Sequence, residues 1–366
     1  MDIRKTIVTV MSFLVVLGIM GASETIADVP TYSLQTILDS PSCTSVDLSP
    51  DRARLYARIG YGPWDEGYRV FDANTLAPLW DYRPGENVNS APWRGLVSSD
   101  CNYLYMTTYY GGAVKKIQVD PNTGIEAASI SVGSWAYGMA FDSQRRFLYA
   151  EQGCPGTGVQ GSIQVINTTS DSIDGNVPLN GEPSGIIVAP GDQYFYVNSR
   201  TRTAHTLYKV QISDLQPAGT FSLSASDLSE HAFSLSPDGN TAYLPDPDGN
   251  SVHVLRTSDM VQTGLWSISG VAGFFVSPDG SHALVTGLGS PTLRVFDLSS
   301  ETVVQTLDIG TILSAYWPVC WDWDGGLRRV YLPAADAGVA VLTPEPATLS
   351  LLGLGGLAVV RRRRKK

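Results

Sequence analysis

Aromatic and charged side chains gather in short segments rich in glycine, serine and proline: SAPWRG (90–95), GSWAYG (133–138), GEPSG (181–185), SEHAF (229–233) and SAYWP (314–318). Trp93, Trp135, Tyr137, His231, Tyr316 and Trp317 supply the rings, and Arg94, Glu182 and Glu230 stand among them. Aromatic faces with a few hydrogen-bonding groups suit a sugar, a peptide or an apolar ligand. Acid–base chemistry would have to use His231, Glu182 and Arg94, since His205, His253 and His282 fall in strand-like runs or hairpin turns elsewhere. A single histidine is more often a hydrogen-bonding group than a base. No H-E-x-x-H, G-x-S-x-G or P-loop accompanies it, and no metal or cofactor is expected.

These segments act together only if a scaffold gathers them. The stretch 232–246, AFSLSPDGNTAYLPD, returns at 273–287 as GFFVSPDGSHALVTG. Each reads as a strand, a tight Ser-Pro-Asp-Gly turn and a second strand with a large apolar anchor. A hairpin alone cannot bury its apolar faces, so copies must stack. Seven copies occur, anchored at Tyr56, Tyr105, Tyr149, Tyr196, Tyr243, Leu284 and Tyr331, with spacings of 49, 44, 47, 47, 41 and 47 residues. The last includes DWDG at 322–325 as the seventh turn. A period in the forties with four short strands predicts an all-β, seven-bladed β-propeller of four-stranded antiparallel blades. The aromatic segments then lead into innermost strands and converge on one rim of the central channel. Residues 31–38 alternate like a strand but lack a hairpin partner, while the final repeat ends at 338–343 with no fourth strand. The N-terminal strand should therefore complete the last blade and close the ring.

The second halves of the units, such as YRVFDANTLAPL and TLRVFDLSSETVVQTLDI, are as regular as the hairpins. Together with the SPDG turns and the LY anchors, they make residues 31–343 resemble the YVTN-type seven-bladed propellers. That scaffold hosts unrelated activities, so the resemblance implies architecture first. Some similar propellers are lactonases with a divalent metal or a His/Glu/Arg set at the channel mouth. Applied here, this implies a hydrolase using His231, Glu182 and Arg94 as the alternative to a ligand-binding or scaffold module.

Both ends differ from the ring. In residues 1–27, Arg4 and Lys5 precede an apolar run and small residues follow, which describes a helical secretory signal for signal peptidase. Residues 28–343 form the propeller. Residues 344–366 comprise Pro344-Glu345-Pro346, a largely apolar run of 14 residues and six terminal basic ones. This resembles the PEP-CTERM sorting signal, which implies an exosortase-type partner, transient insertion of a short helix in the inner membrane, and a surface or matrix destination in a Gram-negative bacterium that makes exopolysaccharide. Between the two ends, 17 Lys+Arg face 32 Asp+Glu, a net charge near −15. That excess disfavours nucleic acid and anionic membranes and tolerates neutral sugars, so an exopolysaccharide, a peptide or a protein is the expected ligand.

Export permits disulfides. Cys43 and Cys320 lead into innermost strands of neighbouring blades and form one candidate pair, with buried thiols as the alternative. Residues 246–250, DPDGN, read as a connecting turn, and CPGTG at 154–158 as the least repeat-like loop.

Overall fold

The computed structural model describes residues 29–60, 66–83, 92–108, 110–119, 124–133, 135–153, 160–201, 204–223, 233–313, 319–324 and 326–345. Met1–Pro30 and Thr31–Lys366 separate as two units, and all strands belong to the second. Both expected terminal helices, and the loop at 154–158, lie outside the described residues, among which regular structure is entirely β.

The strands form seven antiparallel sheets of four. Blade one contains Val46–Leu48, Arg54–Ile59, Gly67–Asp72 and Pro78–Tyr82. Blade two contains Pro92–Val97, Tyr103–Thr108, Ala113–Val119 and Gly124–Ser131. Blade three contains Ala136–Phe141, Phe147–Gln152, Ser162–Asn167 and Ser172–Pro178. Blade four contains Glu182–Val188, Tyr194–Arg200, His205–Gln211 and Pro217–Leu223. Blade five runs from Ser234–Leu235 through Thr241–Asp246 and Ser251–Arg256 to Val261–Ser267. Blade six runs from Gly273–Val276 through His282–Thr286 and Thr292–Asp297 to Thr302–Asp308. Blade seven contributes Cys320–Trp323, Leu327–Ala334 and Gly338–Pro344, and its outer strand is the N-terminal Tyr32–Leu38.

The hairpin turns explain why this sequence repeats so visibly. In blades one, two, five and six, a serine hydroxyl donates to the turn aspartate at 2.5 Å: Ser49 to Asp51, Ser98 to Asp100, Ser236 to Asp238 and Ser277 to Asp279. The same aspartate oxygen accepts the amide two residues on, at 3.0–3.1 Å. The residue between them takes positive φ, and Gly239 and Gly280 supply it without a steric cost. The DWDG stretch departs from this pattern. Asp322 lies on the innermost strand opposite Arg329, and the turn falls two residues later, where the Asp324 amide donates to the Gly326 carbonyl. A register shift between Asp322 and Trp323 moves the reversal along the chain and leaves Asp322 buried.

The core is divided among the seams between blades. Tyr56, Tyr68 and Val70 of blade one pack with Leu104, Met106 and Ile117 of blade two, and Tyr149 and Ile163 of blade three pack with Phe195 and Val197 of blade four. All seven anchors are buried. Each seam is a sheet-to-sheet contact between alternating inward faces, so every blade needs a neighbour on both sides.

Ring closure follows from the antiparallel pairing of Tyr32–Leu38 with Gly338–Pro344, from Tyr32 opposite Pro344 to Leu38 opposite Val339. This latch is fastened to blade six. The Gln305 side-chain amide accepts from the Tyr32 amide and donates to its carbonyl, both at 2.8 Å. The Tyr32 hydroxyl also bonds to His282 Nε2. On the far side, Arg69 of blade one donates to the Asp39 carbonyl and carboxylate just after the latch. Cys43 and Cys320 are not joined by a disulfide; Cys43 Sγ donates to the Ser45 carbonyl at 3.5 Å. Burial raises both thiols, to about 12 for Cys43, so both persist as neutral thiols.

Candidate functional site

Three successive innermost strands carry the first three of the glycine-, serine- and proline-rich segments, and each is irregular where the segment sits. Pairing to the second strand slips between Pro92 and Gly95, between Ala136 and Met139, and between Pro183 and Ile186. A bulge turns side chains away from the plain inward–outward alternation and leaves main-chain amides unpaired in the ladder. Here those amides find side chains on second strands. The Arg94 amide donates to Thr107 Oγ1 at 3.0 Å, and the Gly138 and Gly185 amides donate to the two carboxylate oxygens of Glu151 at 2.9 and 2.8 Å.

The rim cluster follows from this geometry. Trp93 meets Tyr137 edge to face at 6.4 Å, Trp135 meets Tyr137 at 6.2 Å, and Tyr110 meets Trp135 at 5.9 Å. The Arg58 guanidinium lies 5.8 Å from the Trp93 ring and is paired with Glu66 at 2.9 Å. Tyr137 donates its hydroxyl to Glu182 at 2.7 Å, and Arg200 closes on the other Glu182 oxygen at 3.2 Å. Gly153 makes room for this: a Cβ there would stand 2.3 Å from the Tyr137 ring. Tyr137 is buried, Trp93 and Trp135 are half-buried, and Tyr110 is 57 % exposed. Four rings and two ion pairs, Arg58–Glu66 and Arg200–Glu182, thus form one continuous patch contributed by blades one to four.

Arg94 belongs to a different surface. Its Nε donates to the Met139 carbonyl at 3.2 Å, and its side chain lines the channel. A cavity of about 370 Å³ extends from there toward the turn ends of blades three and four, between Arg94, Met139, Phe141, Arg145 and Ile187. Asp47 of blade one caps the Val97 amide at 2.8 Å and lies 3.9 Å from Arg145. Burial raises the Asp47 carboxyl above its usual value, against the pull of Arg145, the Val97 amide and Arg94. Burial also lowers the Arg94 guanidinium.

Of the expected residues, Trp93, Trp135, Tyr137 and Glu182 meet at the rim, and Arg94 faces the channel. His231, Tyr316, Trp317 and Pro346 lie outside the described residues, as does Glu230. Among the described residues no group of three or more His, Cys, Asp or Glu side chains could hold a metal ion.

Sequence reasoning missed Glu151, Arg58 and Arg200. Glu151 is wholly buried, and burial pushes its carboxyl up to about 7, against the two glycine amides and Arg94, which favour the charged form. A recurring position was the available signal. Arg58, Thr107 and Glu151 each stand two residues after an anchor tyrosine, and each bonds the next blade's innermost strand. Arg58 Nε donates to the Pro92 carbonyl at 2.8 Å, Thr107 donates to the Tyr137 carbonyl at 2.6 Å, and Glu151 accepts from Gly185.

Residues 342–365 match the PEP-CTERM protein-sorting motif, which marks the chain for export and exosortase-mediated sorting to the surface or exterior. No curated protein matched the chain significantly. Among solved structures, a chain described as Kuenenia stuttgartiensis hydrazine synthase is similar at 16% identity and a TM-score of 0.69, covering 88% of this chain and 99% of that one. With 1390 structural matches and identity this low, the likeness speaks for the fold alone. The chain is therefore an exported seven-bladed β-propeller carrying a PEP-CTERM sorting motif.

Proposed function

We propose that the chain is a ligand-binding module of the cell surface or extracellular matrix, taking a neutral glycan segment of an exopolysaccharide on its lead-in rim. The observation that carries this reading is the continuous aromatic patch Trp93–Tyr137–Trp135–Tyr110, open at Tyr110 and flanked by the Tyr137–Glu182–Arg200 hydrogen bonds. Sugar rings stack on aromatic faces and need a few fixed polar groups for orientation. His231, Tyr316 and Trp317 would extend the patch around the rim, and Arg94 would offer a separate contact from the channel side. Residues 1–27 act as the signal removed on export, 28–343 form the mature ring of YVTN type, and 344–366 carry the sorting signal in a Gram-negative host. A lactonase-like hydrolase is the weaker reading, because Glu182 is already engaged by Tyr137 and Arg200.

Affinity electrophoresis of the purified ring through exopolysaccharide from its host tests the proposal. Trp135→Ala should weaken retardation about tenfold, from a loss of about 1.4 kcal/mol, with the melting temperature little changed. Retardation equal to that of the unsubstituted protein would remove the rim from consideration.

A further inference from the structure

The sorting motif does not hang from the ring on a linker; it begins inside the latch. The match opens at residue 342, while the third strand of blade seven runs on to Pro344, the first residue of Pro-Glu-Pro. Pro344 stands opposite Tyr32. Glu345 continues the ladder, its amide donating to the Thr31 carbonyl at 2.8 Å while Thr31 Oγ1 donates to its carboxylate at 3.2 Å. Tyr32 is in turn buried and held by Gln305 and His282 of blade six.

We propose that the closed latch gates recognition of the sorting motif. An enzyme that reads Glu345 as extended chain needs its amide and carboxylate, and the closed ring commits both to Thr31. Access then requires the last rung to open, which the Gln305 and His282 contacts oppose by holding Tyr32. Release of the tail cleaves one peptide bond, with water or another acyl acceptor taking the carbonyl. The gate acts before that step, on access. This rests on the sorting role of the motif, so the experiment must separate the two.

Full-length protein is pulse-labelled in its native host, and loss of residues 361–366 is followed by intact mass. Thr31→Val removes the hydroxyl donor at nearly constant shape, and Gln305→Ala frees the Tyr32 main chain. A spacer variant carries eight Gly/Ser residues and a second Pro-Glu-Pro after Pro346, which puts a motif beyond reach of the latch. Ile163→Ala, in the seam between blades three and four, lowers stability without touching the latch. The gate predicts fastest tail loss in the spacer variant, tail loss about fivefold faster than wild type in Thr31→Val, as for one ordinary hydrogen bond, and no acceleration in Ile163→Ala. Equal rates in wild type, latch and spacer variants would overturn the gate and leave sorting intact. So would acceleration by Ile163→Ala matching that of the latch variants. A spacer variant that keeps its tail would overturn the processing of the motif, and the gate with it.

Discussion

Glu151 is the residue whose surroundings say most about the cost of building the rim. Each of its carboxylate oxygens takes one glycine amide, from Gly138 of its own blade and Gly185 of the next. Burial nevertheless lifts its carboxyl from the ordinary 4.5 to about 7. Between those two values the folded chain holds more protons than the unfolded chain, so stability falls as pH rises through that window. The contribution is complete below about 4.5 and gone above about 7. Glu151→Gln removes the titration but turns an amide NH₂ toward one of the two N–H donors, at a cost of about 1–3 kcal/mol. Urea unfolding at pH 5 and pH 7.5 should therefore give a less stable variant with a flatter pH dependence. A variant with the wild-type slope would show that Glu151 does not titrate in this range.

At the scale of elements, the latch strand is held by a partner that titrates. His282 is fully buried and bonded to Tyr32, with Ser281 at 2.7 Å and Asp279 at 4.0 Å on its other nitrogen and Trp321 packed edge-on. Burial holds its pKa down to about 4, although Asp279 and Asp297 pull upward, while burial and then Asp279 raise the Tyr32 hydroxyl. A depressed histidine stabilises the fold fully above its unfolded value and loses that contribution as pH falls through the folded one. Amides of Tyr32–Leu38 should lose hydrogen-exchange protection between pH 6.5 and pH 4, after correction for intrinsic rates, whereas those of Phe147–Gln152 should not. His282→Gln should abolish the difference; a difference that survives would assign it elsewhere. The latch was legible in the sequence because a strand without a hairpin at one end answered a blade missing a strand at the other. The hairpins were legible because their turn chemistry is local, Ser to Asp two residues on. Bonds from one blade to the next were not. Arg58, Thr107 and Glu151 share a position but not a chemistry, and bulges decide which amide each one meets. Where the seventh turn departs from the Ser-x-Asp pattern, reading it as another copy misplaced Asp322.

For the molecule as a whole, stability is shared among seams rather than held in one centre. Removing residues 29–38 takes away Tyr32 and Leu38, leaves Gly338–Pro344 as a bare edge and opens the seam to blade one. The loss should exceed about 3 kcal/mol, the scale of deleting one large buried aromatic. The exposed edge should also promote self-association, visible by size-exclusion chromatography. A truncated chain as stable and monomeric as the intact one would mean that the ring holds without its latch.

Thr31 and Glu345 are bonded across 314 positions of sequence. In a chain secreted from its N-terminus, the strand that closes the ring emerges first and its partner last. Six blades can pair and pack while Tyr32–Leu38 waits, but the seventh cannot finish until residues 338–344 have crossed. Throughout that interval the molecule carries an unpaired strand at one end and an incomplete sheet at the other, the features that invite aggregation and proteolysis. Secretion rate, rather than any property of a single blade, then sets how long that vulnerable state lasts.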